Sequence, residues 1–232
     1  MKHGTLTDMI LSHLVPGEIR ILGVTGQAGA GKTSHIAPMI QSIAASKNYW
    51  AAILPLDAFF KFSSEERSQW LAEGEASGEE EAARRRDQMT WWDFQKAEDV
   101  LRTLHEGKPV NMTGVYNRAD KGRLTGTIEI TPEEKGGLLI FEGVATAHLA
   151  TLHAVFYVHA PSVVRLDSLL ERDKHRDREE ALKRFALTEA FEQRYFQLHW
   201  KHIDVCVDNS RRNGVMPGDL PIFPKPESFK FS

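Results

Sequence analysis

The eight residues Gly26-Gln27-Ala28-Gly29-Ala30-Gly31-Lys32-Thr33 constrain this chain more than any other stretch. They fit the pattern G-x-x-x-x-G-K-[ST] and lie between two runs of different periodicity. Before them, Ile19-Arg20-Ile21-Leu22-Gly23-Val24-Thr25 is apolar and β-branched, as in a strand buried within a parallel sheet. After them, Ser34 to Ser46 carries Ile36, Met39, Ile40, Ile43 and Ala44 at helical spacing. A second apolar run, Trp50 to Leu56, ends at Asp57. Strand, glycine-rich turn, helix and strand make a βαβ unit, so the expected fold class is α/β.

Each part of the motif has a chemical reason. Glycines let the backbone curl until successive N–H groups point inward and cradle phosphate oxygens. The helix N-terminus that follows adds a favourable field of order 1 kcal/mol for an anion. Lys32 supplies a point charge for the β and γ phosphates, and the Thr33 hydroxyl is a ligand for Mg²⁺. The loop from Gly26 through Gln27, Ala28, Gly29, Ala30, Gly31, Lys32 and Thr33 to Ser34 is therefore the expected nucleotide site. The tetrapeptide N-K-x-D, which many guanine-nucleotide switches carry, is absent. The strand Leu138-Leu139-Ile140-Phe141 runs into Glu142-Gly143 and not into the aspartate usual in motor and transport ATPases.

The remaining chain is organised around further strands and helices. Val110 to Tyr116 and Arg123 to Ile130 read as two strands flanking a polar turn, with Ala154 to Val158 and Ile203 to Val207 as two more. Helical periodicity covers Asp93 to His105, Val163 to about His175 and Glu179 to about Trp200. Lys61 to Gln88 holds eight acids and five bases and is expected as a solvated helical excursion. The tail 209–232, with its prolines and glycines, is expected to be extended or loosely docked. The 232 residues suit one large domain, with a core over about 19–208 and an inserted region over about 58–130. The formal charge of −3 disfavours a nucleic-acid partner bound through bulk positive charge. One cysteine, Cys206, excludes an intrachain disulfide and any multi-cysteine metal site. Residues 1–15 are too polar and short for a secretion signal, and no run of ~18 apolar residues offers a membrane span, so a cytoplasmic location is expected.

Taken in order, five segments resemble the uridine kinase and phosphoribulokinase family of P-loop kinases. After the loop, Asp57-Ala58-Phe59-Phe60 is similar to the family's D-x-F-[YF/H]. Asp87-Gln88-Met89-Thr90-Trp91-Trp92-Asp93 keeps the spacing of its D-x5-D segment. Glu106-Gly107-Lys108-Pro109-Val110 leading to Val115-Tyr116-Asn117 resembles E-G-K-x-V … V-Y-D. Ile140-Phe141-Glu142-Gly143 resembles V-[FI]-E-G, and Val164-Arg165-Leu166 with Glu171-Arg172-Asp173 resembles its lid helix. The chain departs from the family on the acceptor side. Asn117 replaces an aspartate, Lys121 stands where uridine kinases have histidine, and the charged stretch before Asp87 is long.

The resemblance implies a mostly parallel sheet with helices on both faces, a helical lid and an acceptor-side insertion. It implies an ATP-dependent kinase that uses Mg²⁺ and phosphorylates a hydroxyl of a small molecule. The best expectation for the acceptor is a nucleoside such as uridine, with a sugar, sugar phosphate, pantothenate or glycerate as alternatives; a regulatory nucleotide-binding module is a further class. Asp57 is expected as the base, or as a metal ligand with Thr33 and Glu142, since strand C-termini face the ligand crevice. Arg165, Arg172 and Arg176 are spaced to share one helix face. Arg172 is expected on the transferring phosphoryl group, Arg176 on the nucleotide and Arg165 on the substrate. Asp87, Tyr116 and Arg123 are the remaining acceptor-side expectations, with the Asp87 carboxylate on a ribose diol.

Overall fold

A computed structural model describes residues 5–172, 174, 177–210 and 220–230 of the chain. Its frame is a six-stranded sheet. Strands β1 (Ile19–Gly26), β2 (Trp50–Pro55), β5 (Gly137–Glu142), β6 (Ala154–His159), β7 (Val205–Asp208) and β8 (Ile222–Phe223) run in the order β2-β5-β1-β6-β7-β8. All neighbours are parallel except β7 and β8. Parallel strands require helical crossovers, and these cover both faces. On one face, Leu22, Val24, Leu138, Ile140 and Phe156 pack with α1 (Leu6–Ser12) and α2 (Ala37–Ser46). On the other, Ile21, Leu139, Phe141, Val155 and Tyr157 pack with α5 (Phe94–His105) and α7 (Arg178–His199). Adjacent residues on one strand thus serve opposite cores, as the two-residue period of a strand demands.

Two more helices, α3 (Ser64–Ala76) and α4 (Glu79–Arg86), and an antiparallel hairpin of β3 (Val110–Asn117) and β4 (Arg123–Ile130) form the inserted region. The charged stretch is helical as expected. A capping box at Ser63 and Glu66 starts α3, and Arg86 ties α4 back to α3 through Glu75 at 2.8 Å. Helix α6 (Ser162–Arg172) precedes α7, and the predicted lid residue Arg176 lies outside the described residues.

Several boundaries differ from the sequence expectation. The N-terminal segment, to which the sequence reading assigns no element, forms α1, because Leu6 and Ile10 bury completely and Thr5 caps the helix with Asp8. Around 220–223 the tail is docked: β8 pairs with β7, and the Trp200 indole N–H donates to the Pro226 carbonyl at 2.7 Å. No helix among the described residues is long and apolar enough to cross a membrane.

Candidate active site

Three neighbouring strands deliver the site to one edge of the sheet. Gly26 ends β1, Glu142 ends β5 beside it, and Asp57 follows the end of β2 on β5's other side. In open parallel sheets this carboxyl edge is where ligands bind. The loop then turns into a helix whose first turn, Lys32–Ile36, is a wide π turn in which the Ile36 N–H reaches the Gly31 carbonyl. Such turns occur mostly at functional sites, where they aim side chains an α turn would not.

Gly29 has φ +78°, and a Cβ there would collide with the carbonyl oxygen of Arg165 in α6. Helix α6 therefore backs the loop directly. Gly29→Ala is expected to lower stability by about 1–3 kcal/mol, the range for a strained non-glycine backbone. Thermal unfolding checks this; an unchanged Tm would mean that α6 gives way at no cost. From the other side, the Asn209 side chain donates to the Ala30 carbonyl at 2.7 Å and leaves no room for a side chain at Gly31.

Lys32 is buried and folded back onto its own loop, with Nζ donating to the Gly26 carbonyl at 2.7 Å and that of Gln27 at 3.0 Å. Burial pulls its pKa down, while the fields of Glu192, Glu142 and Asp57 work against that loss. The Thr33 hydroxyl donates to Glu142 Oε2 at 3.0 Å. Burial pushes the Glu142 carboxyl above the usual range and the Lys32 ammonium restrains it. Among the described residues no three His, Cys, Asp or Glu side chains form a preorganised metal cluster. A hydroxyl and a carboxylate converging beside the phosphate loop nevertheless fit Mg²⁺, which takes few protein oxygens and keeps its waters. Asp57 is partly exposed, and its Oδ2 accepts from Arg118 at 2.7 Å.

Beyond Asp57 a cavity of about 680 Å³ opens between the loop, the inserted region and α6–α7. Its lining includes Ala28, Asp57, Phe60, Arg67, Tyr116, Arg118, Lys121 and Arg172. The Arg67 guanidinium is held inside an aromatic box, 4.3 Å from the Phe60 ring centre and 5.0 Å from that of Trp91. Cation–π contacts of this kind hold a desolvated guanidinium in one orientation. Lys121 sits in the β3–β4 turn with φ +52°, next to Gly122.

Of the acceptor-side residues expected from sequence, Tyr116 reaches this cavity, as does Arg172, expected on the transferring phosphoryl group. Asp87 does not; it caps the short turn 88–90 by accepting from the Met89 N–H, and its neighbour Gln88 lines the cavity instead. Arg123 is exposed in the hairpin beside Asp120, at 3.5 Å. Arg165 has no exposed surface and lies against the loop from behind, bound to Glu189 at 2.7 Å. Its substrate role is corrected to a structural one, because the face of α6 that packs on the loop excludes solvent. Arg67, Arg118 and Glu192 were missed. Arg67 lay within a charge-rich stretch read as solvated, and nothing in the linear order ties Arg118 to Asp57 or Glu192 to Ala28.

The model of the phosphoribulokinase / uridine kinase family matches residues 21–205. No protein among the curated sequences matches the chain. Several solved structures share the fold. A phosphoribulokinase from Rhodobacter spheroides superposes with a TM-score of 0.62 at 14% identity, covering 83% of this chain and 70% of that one. A "putative fructose transport system kinase" from Silicibacter sp. TM1040 gives 0.60 at 18% identity, covering 82% of this chain and 94% of that one. A "possible uridine kinase" from Bacillus stearothermophilus gives 0.57 at 16% identity, covering 87% and 94%. With the P-loop, the three strand ends and the family match over most of its length, this chain belongs to the phosphoribulokinase / uridine kinase family of kinases.

Proposed function

We propose that the chain is an ATP-dependent kinase whose acceptor is a small hydroxyl compound bearing an anionic group, such as a sugar phosphate or a hydroxy acid. One observation carries this reading: among the described residues, Arg67, Arg118, Lys121 and Arg172 line the cavity with Asp57 as the one carboxylate. Such a lining attracts an anion by its net field and by charge-assisted hydrogen bonds. A neutral nucleoside has less support, because Asp87, the expected partner of a ribose diol, lies outside the lining. Phe60 and Tyr116 would pack on the face of a sugar or a base alike.

In this reading Lys32 and the loop amides hold the ATP phosphates. Thr33 and Glu142 would hold Mg²⁺, which when bound would supply charge neutralisation at the phosphate oxygens. The acceptor's anionic group draws Arg118 away from Asp57, which then takes the hydroxyl proton as the oxygen attacks the γ-phosphorus. The new O–P bond forms as the bond to the ADP oxygen breaks, and Arg172 neutralises charge on the moving group.

The test is ADP release with glycerate, pantothenate, ribulose 5-phosphate, fructose 1-phosphate, fructose, uridine and cytidine at equal concentration. At least one anionic acceptor is expected to exceed every neutral one by about 100-fold in kcat/KM, since one charged hydrogen bond is worth about 1.5–3 kcal/mol. Faster phosphorylation of uridine or cytidine than of any anion would overturn the acceptor class. ATP turnover indifferent to all acceptors would favour a regulatory module. With the preferred acceptor, Arg67→Gln is expected to raise acceptor KM by about 10- to 100-fold and leave the KM for ATP within about twofold. Initial-rate kinetics with each substrate varied separates the two.

A further inference from the structure

We propose that Glu192 is a positioning residue that occupies the Ala28 N–H of the phosphate loop with a buried carboxylate and so weakens retention of the product nucleotide. Glu192 sits on α7 with no exposed surface. Its Oε1 accepts from the Ala28 N–H at 2.5 Å, within the P-loop itself. Its Oε2 accepts no hydrogen bond and lies 3.8 Å from Arg165 Nη1. Of the acids whose fields reach Lys32, Glu192 acts most strongly.

A negative charge here is the opposite of what the site needs for affinity. Loop amides and the helix N-terminus favour anions, and a buried carboxylate beside them repels phosphate. Arg165 already has a carboxylate partner in Glu189 at 2.7 Å, and a neutral amide oxygen would satisfy the Ala28 N–H equally well. Burial pushes the Glu192 carboxyl up to about 7, while the Lys32 charge, the Ala28 N–H and the Arg165 charge pull it back down. What the charge does is compensate Lys32 while the ammonium is folded onto the Gly26 and Gln27 carbonyls. Incoming phosphates must displace the Glu192 carboxylate from the Ala28 N–H, and the carboxylate returns there as ADP departs.

The experiment is equilibrium titration of the full chain with MgADP, for wild type, Glu192→Gln and Glu192→Asp. Glutamine keeps an acceptor for Ala28 but removes the charge, and is expected to lower the Kd for MgADP by about tenfold while the acceptor KM is unchanged. A packing defect would weaken nucleotide binding or leave it alone; tightening is the mark of a removed repulsion. An unchanged or higher Kd in folded Glu192→Gln overturns the inference. Aspartate keeps the charge and withdraws from Ala28, so its Kd is expected at or above the wild-type value. That variant decides the matter if the glutamine variant does not fold, since tenfold tightening with aspartate would show that the charge is not the cause. The inference rests on nucleotide binding at the loop and not on the acceptor. Wild type that fails to bind MgADP overturns both, whereas wild type that binds without tightening in Glu192→Gln overturns this one alone.

Discussion

Lys32→Ala is expected to reduce phosphoryl transfer by about 10³-fold or more, the scale of losing a charge aimed at the transition state. The ammonium is the group at the loop able to follow charge from the γ to the β phosphate. The sequence places this charge at an open loop, but the folded chain tucks it inside, where it satisfies two carbonyls. Its removal therefore has a stability cost as well, of about 1–3 kcal/mol for the unpaired groups. Circular dichroism and a Tm lowered by several degrees would show a folded protein, and single-turnover assays would show the missing chemistry. Full activity in a folded Lys32→Ala protein would remove the catalytic assignment of the loop.

Asp57→Asn is expected to lower kcat by about 10²- to 10⁴-fold with little change in the KM for ATP, which is the range of a lost general base. The substitution is close to isosteric, and the amide oxygen can still accept from Arg118, so the turn after β2 keeps its shape. What is lost is the ability to take a proton. The competing role is metal binding, for which Asp57 is also placed, since its field reaches the buried Glu142 carboxyl. The two roles separate in kinetics. A metal ligand would show as weakened MgATP binding, relieved by raising Mg²⁺, with kcat surviving at saturation.

Both predictions concern residues that local sequence identifies. The loop from Gly26 to Thr33 is contiguous, and its conformation follows from glycine backbone freedom and the strand and helix that flank it. Asp57 and Glu142 each close an apolar run, and the parallel arrangement of such runs brings strand ends to a common edge. The acceptor side has no such local rule. Asp87 and Gln88 are adjacent, yet one caps a turn and the other lines the cavity. Arg165 and Arg172 share the spacing of one helix face, yet Arg165 is sealed behind the loop and Arg172 reaches the cavity.

Sequence periodicity and motif chemistry determined the βαβ start, the sheet-forming runs, the phosphate loop and the two strand-end carboxylates, because each depends on residues within one element or its boundary. Tertiary structure alone decided that Arg67 stands in an aromatic box, that Arg118 meets Asp57, and that Glu192 accepts from the Ala28 N–H of the loop. The physical reason is that a long charged side chain reaches several ångströms in any direction its neighbours leave open. Its destination is set by which buried partner compensates the charge, and those partners lie 61 residues away for Arg118 and 164 for Glu192.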